Sequence, residues 1–256
     1  MLKPNQIAET YLSVGQAKAN QGLLKTFLLA ILAGAFIAFA GVGATFGNAY
    51  ANKVVGAMIF PGGLAMVILA GSELFTGNCL LIMPLLQKKI KFSQMIKNLS
   101  IVYLGNLIGA VLVAFLAVFS DSLNSVLPTV IATANAKVSL EFFPAILKGI
   151  ACNVLVCLAV WMGFASENVA GKILAIFFPI TIFVVAGFEH SVANMFYLPA
   201  GMFIQLKTGV EVEGLNVISA IVNNLLPVTI GNVIGGMAVG VIYKFIYLPK
   251  AESENK

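Results

Sequence analysis

Long apolar stretches separated by short polar ones set the pattern of this chain. Segments that meet the ~20 residues needed to cross a bilayer run over approximately 24–47, 54–86, 98–119, 143–164, 173–206 and 215–248. Before them, residues 1–22 are mostly polar, with Pro4 and Asn5 early, which does not fit a cleavable signal. Ile7, Tyr11, Leu12 and Val14 fall on one stripe of a short helix, expected to lie along the membrane surface. The expected organisation is therefore an amphipathic surface helix over 1–22, a six-span domain over 23–248 and a C-terminal tail over 249–256.

The second and fifth segments are too long for single spans. As one helix, residues 54–86 would reach about 50 Å across a hydrocarbon core of ~30 Å. Each also carries a polar cluster at its middle, residues 71–78 and 187–194. A break there is expected, because irregular backbone at membrane depth survives only where protein or a water-filled cavity satisfies its polar groups.

The halves of the chain match in order. Gly-x-Glu-x-x-x-x-Asn occurs at Gly71, Glu73 and Asn78 and again at Gly187, Glu189 and Asn194, an offset of 189 − 73 = 116. Asn98-Leu99 and Gly105-Asn106-x-Ile108-Gly109 recur as Asn224-Leu225 and Gly231-Asn232-x-Ile234-Gly235, offset 126, and Lys25 answers Lys148, offset 123. Repeats of three spans, at about 23–120 and 143–248, enter the membrane in opposite senses. The fold class expected is all-α and integral to the membrane, a 3+3 inverted repeat with broken second and fifth spans. In such folds the substrate path lies at the repeat interface, flanked by half-helix ends.

Composition supports lipid as the solvent: 60% of residues are hydrophobic, 10% are charged and the mean hydropathy is +0.99, against roughly 25% charged in soluble domains. With six spans both termini share a side. Ten loop and terminal lysines then fall on that side and three, Lys53, Lys137 and Lys207, on the other, which makes the termini cytoplasmic. All the positive charge is lysine, so the guanidinium fork that grips phosphate is missing and no nucleic-acid partner is expected. Cys79, Cys152 and Cys157 sit in apolar runs and read as packing residues; no metal site or cofactor is expected.

Few groups remain to carry chemistry. Glu73 and Glu189 hold equivalent positions and are expected to accept hydrogen bonds from backbone N–H groups freed at the breaks, with Asn78 and Asn194 beside them. Asn106 and Asn232 read as helix-to-helix hydrogen-bonding groups. His190, the single histidine, stands opposite Leu74 in the other repeat and so breaks the symmetry where the repeats meet. Its imidazole can donate to a passing anion, and Thr76 could add a hydroxyl from the opposite repeat. Lys25 and Lys148 would stand toward opposite faces, where an ammonium at the mouth of a low-dielectric passage concentrates anions. Phe60, Leu64, Leu74 and Phe183 are ordinary core residues unless they point into the path, where apolar rings gate by dewetting.

Over residues 20–250 the chain resembles the formate/nitrite transporters, pentameric anion channels. Residues 71–78 resemble the family's loop-interrupted second span, Gly-Phe-Glu-His-Ser-Val-Ala-Asn-Met at 187–195 its fifth, and Leu-Pro-Val-Thr-Ile-Gly-Asn at 226–232 its sixth. Lys148 followed by Cys152-Asn153 and residues 156–161 resembles its fourth. The resemblance implies an aquaporin-like protomer, a homopentamer in the bacterial cytoplasmic membrane, and a passive or proton-linked path for formate, nitrite or hydrosulfide, formate first among them. It implies His190 and Thr76 at the centre, apolar slits of Phe60, Leu64, Leu74 and Phe183, Lys148 in a vestibule and Asn232 near the pore.

Rival readings are weaker. A neutral-solute channel of the aquaporin class would show paired Asn-Pro-Ala signatures, and an ammonium channel paired pore histidines. An intramembrane enzyme would need a zinc motif, an aspartate pair or a Ser-His dyad, and the chain has one aspartate, Asp121. A proton-coupled secondary transporter shares the broken-helix architecture and stays open as an alternative.

Overall fold

A computed structural model describes residues 1–249, and every regular element among them is helical. Residues 250–256, nearly all of the expected tail, lie outside the described residues. In chain order the helices are α1 (Pro4–Asn20), α2 (Leu23–Tyr50), α3 (Lys53–Ile59), α4 (Pro61–Leu69), α5 (Phe75–Asn78), α6 (Ile82–Leu86), α7 (Phe92–Phe119), α8 (Leu127–Val138), α9 (Phe142–Ala165), α10 (Val169–Ala186), α11 (Ser191–Thr208), α12 (Val217–Ser219) and α13 (Leu226–Tyr247). A 3-10 turn, Cys79–Leu81, joins α5 to α6, and a π-helical stretch, Ala220–Leu225, joins α12 to α13. Five stretches are long and apolar enough to cross a membrane: α2, α7, α9, α10 and the run Val217–Tyr247.

The side-chain distribution is that of a protein in lipid. Along α2 the buried residues are mainly small, among them Ala30, Ala33, Gly34, Ala38, Gly41 and Ala44, while Leu28, Leu32 and Phe39 are exposed. Large apolar side chains gain nothing by leaving lipid, so small residues take the helix interfaces and let backbones close in. At Gly109 of α7 an added Cβ would fall onto the Ile31 carbonyl of α2, and at Gly235 of α13 onto the Ile150 carbonyl of α9. The α2/α7 and α9/α13 crossings therefore use the same glycine in the two halves of the chain.

The long segments are interrupted at their polar clusters. Residues 70–74 separate α4 from α5, and 187–190 separate α10 from α11. Pro227 lies two residues past the π-helical stretch, and its missing N–H leaves the preceding turn without a regular donor, which suits a local switch of helix type. α7 begins about six residues before the apolar run, because Ser93, Gln94 and Lys97 occupy its first turns. α8, with only 12 residues and a mixed composition, carried no span signal.

α1 packs against neighbouring helices. Its buried residues are Ile7, Ala8, Tyr11 and Gly15, with Leu12 and Val14 only partly covered. They join a cluster with Cys79, Leu80, Met83, Cys157 and Trp161, and the Tyr11 ring meets Phe164 edge-on at 5.7 Å. Ile7 and Tyr11 of its apolar stripe are thus covered by protein.

Candidate functional site

Both interruptions are built alike. Gly71 and Gly187 take positive φ values of 74° and 73°, a conformation that costs glycine little and ends the preceding helix. The polar groups this frees are gathered by one asparagine from a neighbouring helix. Asn106 of α7 accepts the Phe75 N–H at 2.9 Å and donates to the Glu73 carbonyl at 2.9 Å and the Ala30 carbonyl at 2.7 Å. Asn232 of α13 accepts the Ser191 N–H at 2.9 Å and donates to the Glu189 carbonyl at 2.9 Å and the Gly149 carbonyl at 2.8 Å. An amide is suited to this because it carries two donors and an acceptor on one planar group.

The two glutamates do something else. Contrary to expectation they take their bonds from side chains, not from backbone N–H groups. Glu73 accepts from Asn78 at 2.7 Å and from the Lys18 ammonium at 2.8 Å. Glu189 accepts from Asn194 at 2.6 Å and from Lys137 at 2.9 Å. Asn78 also donates to Asn98, which donates to the Lys18 carbonyl; Asn194 likewise donates to Asn224, which donates to the Lys137 carbonyl. Each carboxylate is thus nearly buried, at 4% and 7% exposure for the residues, and paired with one lysine. A buried carboxylate without such a partner would be costly.

Two cavities approach one another between these clusters. The first, about 400 Å³, reaches inward past Lys18, Lys172, Glu73 and Asn78 to Leu64 and Leu74. The second, about 680 Å³, reaches past Lys53, Lys137, Lys148 and Glu189 to Phe60, Phe183 and His190. The Phe60 and Phe183 rings meet edge-on with centroids 5.8 Å apart. Phe60, Leu64, Leu74 and Phe183 are each 3% exposed, and Phe60 and Leu64 stand one helical turn apart, at the start of α4 and within it.

Thr76 and His190 touch, Oγ1 to Nε2, at 2.8 Å, and His190 lines the second cavity together with Phe60 and Phe183. The other ring nitrogen, Nδ1, accepts the Ala193 N–H at 3.1 Å as the N-cap of α11. A backbone N–H can only donate, so Nδ1 carries a lone pair and the proton sits on Nε2. Nε2–H therefore donates to the Thr76 oxygen, which leaves the Thr76 hydroxyl proton free to turn toward another acceptor. Cys157 and Asn153 of α9 donate to the Thr76 carbonyl from behind, at 3.4 and 3.2 Å.

Thus His190, Thr76, Phe60, Leu64, Leu74 and Phe183 come together, with Asn232 directly behind His190. Lys148 is half-buried and lines the second cavity. Lys25 does not join them: it is exposed at the start of α2, and the lysines lining the first cavity are Lys18 and Lys172. The sequence reading missed the roles of Lys18 and Lys137. A signal was present, since their offset, 137 − 18 = 119, lies among those of the other matched pairs. Cys79, Cys152 and Cys157 are buried. No three His, Cys, Asp or Glu side chains among the described residues lie together as metal ligands would.

Comparison with known proteins agrees with this geometry. A family profile described as formate/nitrite transporter matches residues 5–246. The formate channel FocA of Escherichia coli is 38% identical, over 97% of this chain and 95% of its own. A solved pentameric formate channel with formate bound superposes with a TM-score of 0.78 at 34% identity, covering 89% of this chain and 98% of that one. An ion channel of the same family superposes with a TM-score of 0.82 at 31% identity, over 94% and 97%. A profile that spans nearly the whole chain, joined by relatives and structures of matching length, leads to one conclusion: this multi-pass membrane protein belongs to the formate/nitrite transporter family.

Proposed function

We propose that the protein conducts small monovalent anions, formate first and nitrite or hydrosulfide as alternatives, through a path formed within each protomer of a homopentamer. The protomer is read as aquaporin-like, with six spans in two inverted triplets. The membrane is read as the bacterial cytoplasmic membrane, with both termini on the cytoplasmic side, so that α1 caps the inner cavity and α8 flanks the outer one.

The observation that carries this reading is the buried Thr76–His190 hydrogen bond at 2.8 Å, with His190 lining one of two cavities that each hold lysines; Phe60, Leu64, Leu74 and Phe183 beside it are read as the apolar closures of the path. Lysines in the cavities raise the local anion concentration. Within the closures an anion loses water, and the donor it meets is the buried Thr76 hydroxyl, oriented by Nε2–H of His190. A neutral ring tied at Nδ1 to the Ala193 N–H suits hydrogen-bond donation. Giving up a proton would require first forming the imidazolium, at the loss of that N-cap bond.

Influx of isotope-labelled formate into proteoliposomes tests the reading. His190→Phe and Thr76→Val are expected to lower the rate by tenfold or more, with Thr76→Ser retaining most of it; full flux in His190→Phe sinks the proposal. Formate currents of large unitary size in a voltage-clamped bilayer favour a channel over proton-coupled exchange.

A further inference from the structure

The two cavities differ in charge as well as in size. In the smaller, Lys18 is committed to Glu73 at 2.8 Å, which leaves Lys172; in the larger, Lys137 is committed to Glu189 at 2.9 Å, which leaves both Lys53 and Lys148. Among the described residues, neither of these two lies within ion-pair distance of a carboxylate. Both line one cavity. Lys53 opens α3 with its Nζ 3.5 Å from where a Cβ would stand on Gly187, and the Lys148 carbonyl accepts the Glu189 N–H at 3.3 Å. The Lys53 ammonium therefore stands beside the interruption at 187–189, and Lys148 of α9 lines the same cavity.

We propose that this larger cavity is a binding site for small divalent anions, dicarboxylates such as malonate, which block the path there without crossing it. The proposal rests on the anion-conducting reading of the same path. A dicarboxylate can pair with both ammoniums at once, whereas formate can satisfy only one. Crossing is a different matter. Moving an ion from water into a medium of low dielectric constant costs in proportion to the square of its charge, and at its inner end this cavity meets the apolar rings of Phe60 and Phe183 with a single imidazole, His190. A monoanion passes this barrier, and a dianion is retained in front of it.

The test is labelled-formate influx into proteoliposomes against rising malonate, with propionate as a monovalent control of similar size. Malonate is expected to inhibit at lower concentration than propionate, less so at high ionic strength. K53Q and K148Q are each expected to raise the half-inhibitory malonate concentration, normalised to the variant's own flux, by roughly tenfold. K172Q, in the other cavity, is expected not to. Equal inhibition by the two acids, or an unchanged half-inhibitory concentration in both K53Q and K148Q, overturns the proposal. Calorimetric titration of the detergent-solubilised protein with malonate reads the site without any flux: heat of binding abolished in the K53Q/K148Q double variant supports it, and no binding to the unaltered protein refutes it. Absence of formate influx in the unaltered protein strikes the conduction reading instead, so the two failures are separable.

Discussion

At the scale of single residues, the burden falls on polar groups that no water reaches. Asn232 satisfies two backbone groups at one interruption and also bonds the Gly149 carbonyl of α9, and each buried group left unpaired costs roughly 1–3 kcal/mol. Asn232→Leu is expected to destabilise by about 3 kcal/mol or more, and Asn106→Leu by a similar amount. Thermal unfolding in detergent would show this as a lowered midpoint or as failure to recover folded protein, and a loss under 1 kcal/mol in both would contradict the assignment. Lys137 and Glu189 give a sharper test, since their side chains are 13% and 9% exposed. Lys137→Met leaves a buried carboxylate unpaired, a loss of about 3–5 kcal/mol. Glu189→Gln in the same chain should restore most of it, because the neutral amide has no charge to desolvate.

At the scale of elements, close helix crossings and a short tie are exposed to test. A valine at Gly109 or Gly235 would have to push the Ile31 or Ile150 carbonyl away, so each change is expected to separate α2 from α7 or α9 from α13. Both variants should lose assembled protein on size-exclusion chromatography, while Gly62→Ala, where a Cβ meets open space, should not. Beyond α7 the Asp121 carboxylate accepts from the Lys207 ammonium at the end of α11, and Lys207 also donates to the Val118 carbonyl at 2.7 Å. The bond from Lys207, then that from Asn124, holds the Asp121 carboxyl below the usual aspartate range. A lowered carboxylate pKa means that the tie is present above the ordinary aspartate value and is lost only as pH falls through the lowered one. Tryptic cleavage after Lys207 should therefore be slow at neutral pH and rise in Asp121→Asn; equal rates would show that the tie does not restrain the α11 terminus.

At the scale of the whole molecule, the path has two ends that ought to be accessible from opposite sides of the membrane. Cys79, Cys152 and Cys157 are buried, so the unaltered protein should resist a membrane-impermeant thiol reagent. Thr129→Cys on α8 should be labelled from outside intact cells, and Gln16→Cys on α1 only after they are opened. Labelling of both from one side would break the proposed topology. The sequence by itself determined the lipid environment, the approximate helices and the two interruptions, because apolar length, small-residue spacing and polar clusters are local patterns that need no partner to be read. It also brought His190, Thr76 and the four apolar residues onto one short roster. It could not determine that Asn106 and Asn232, not the glutamates, satisfy the freed backbone, nor that Lys18 and Lys137, not Lys25, are the lysines committed to the carboxylates. Each of those assignments joins residues 31 to 83 positions apart through a distance of about one hydrogen bond. Only the packing of α1, α7, α8 and α13 around the interruptions decides which of several equally polar side chains arrives there, and that packing is set by tertiary contacts that periodicity along the chain does not encode.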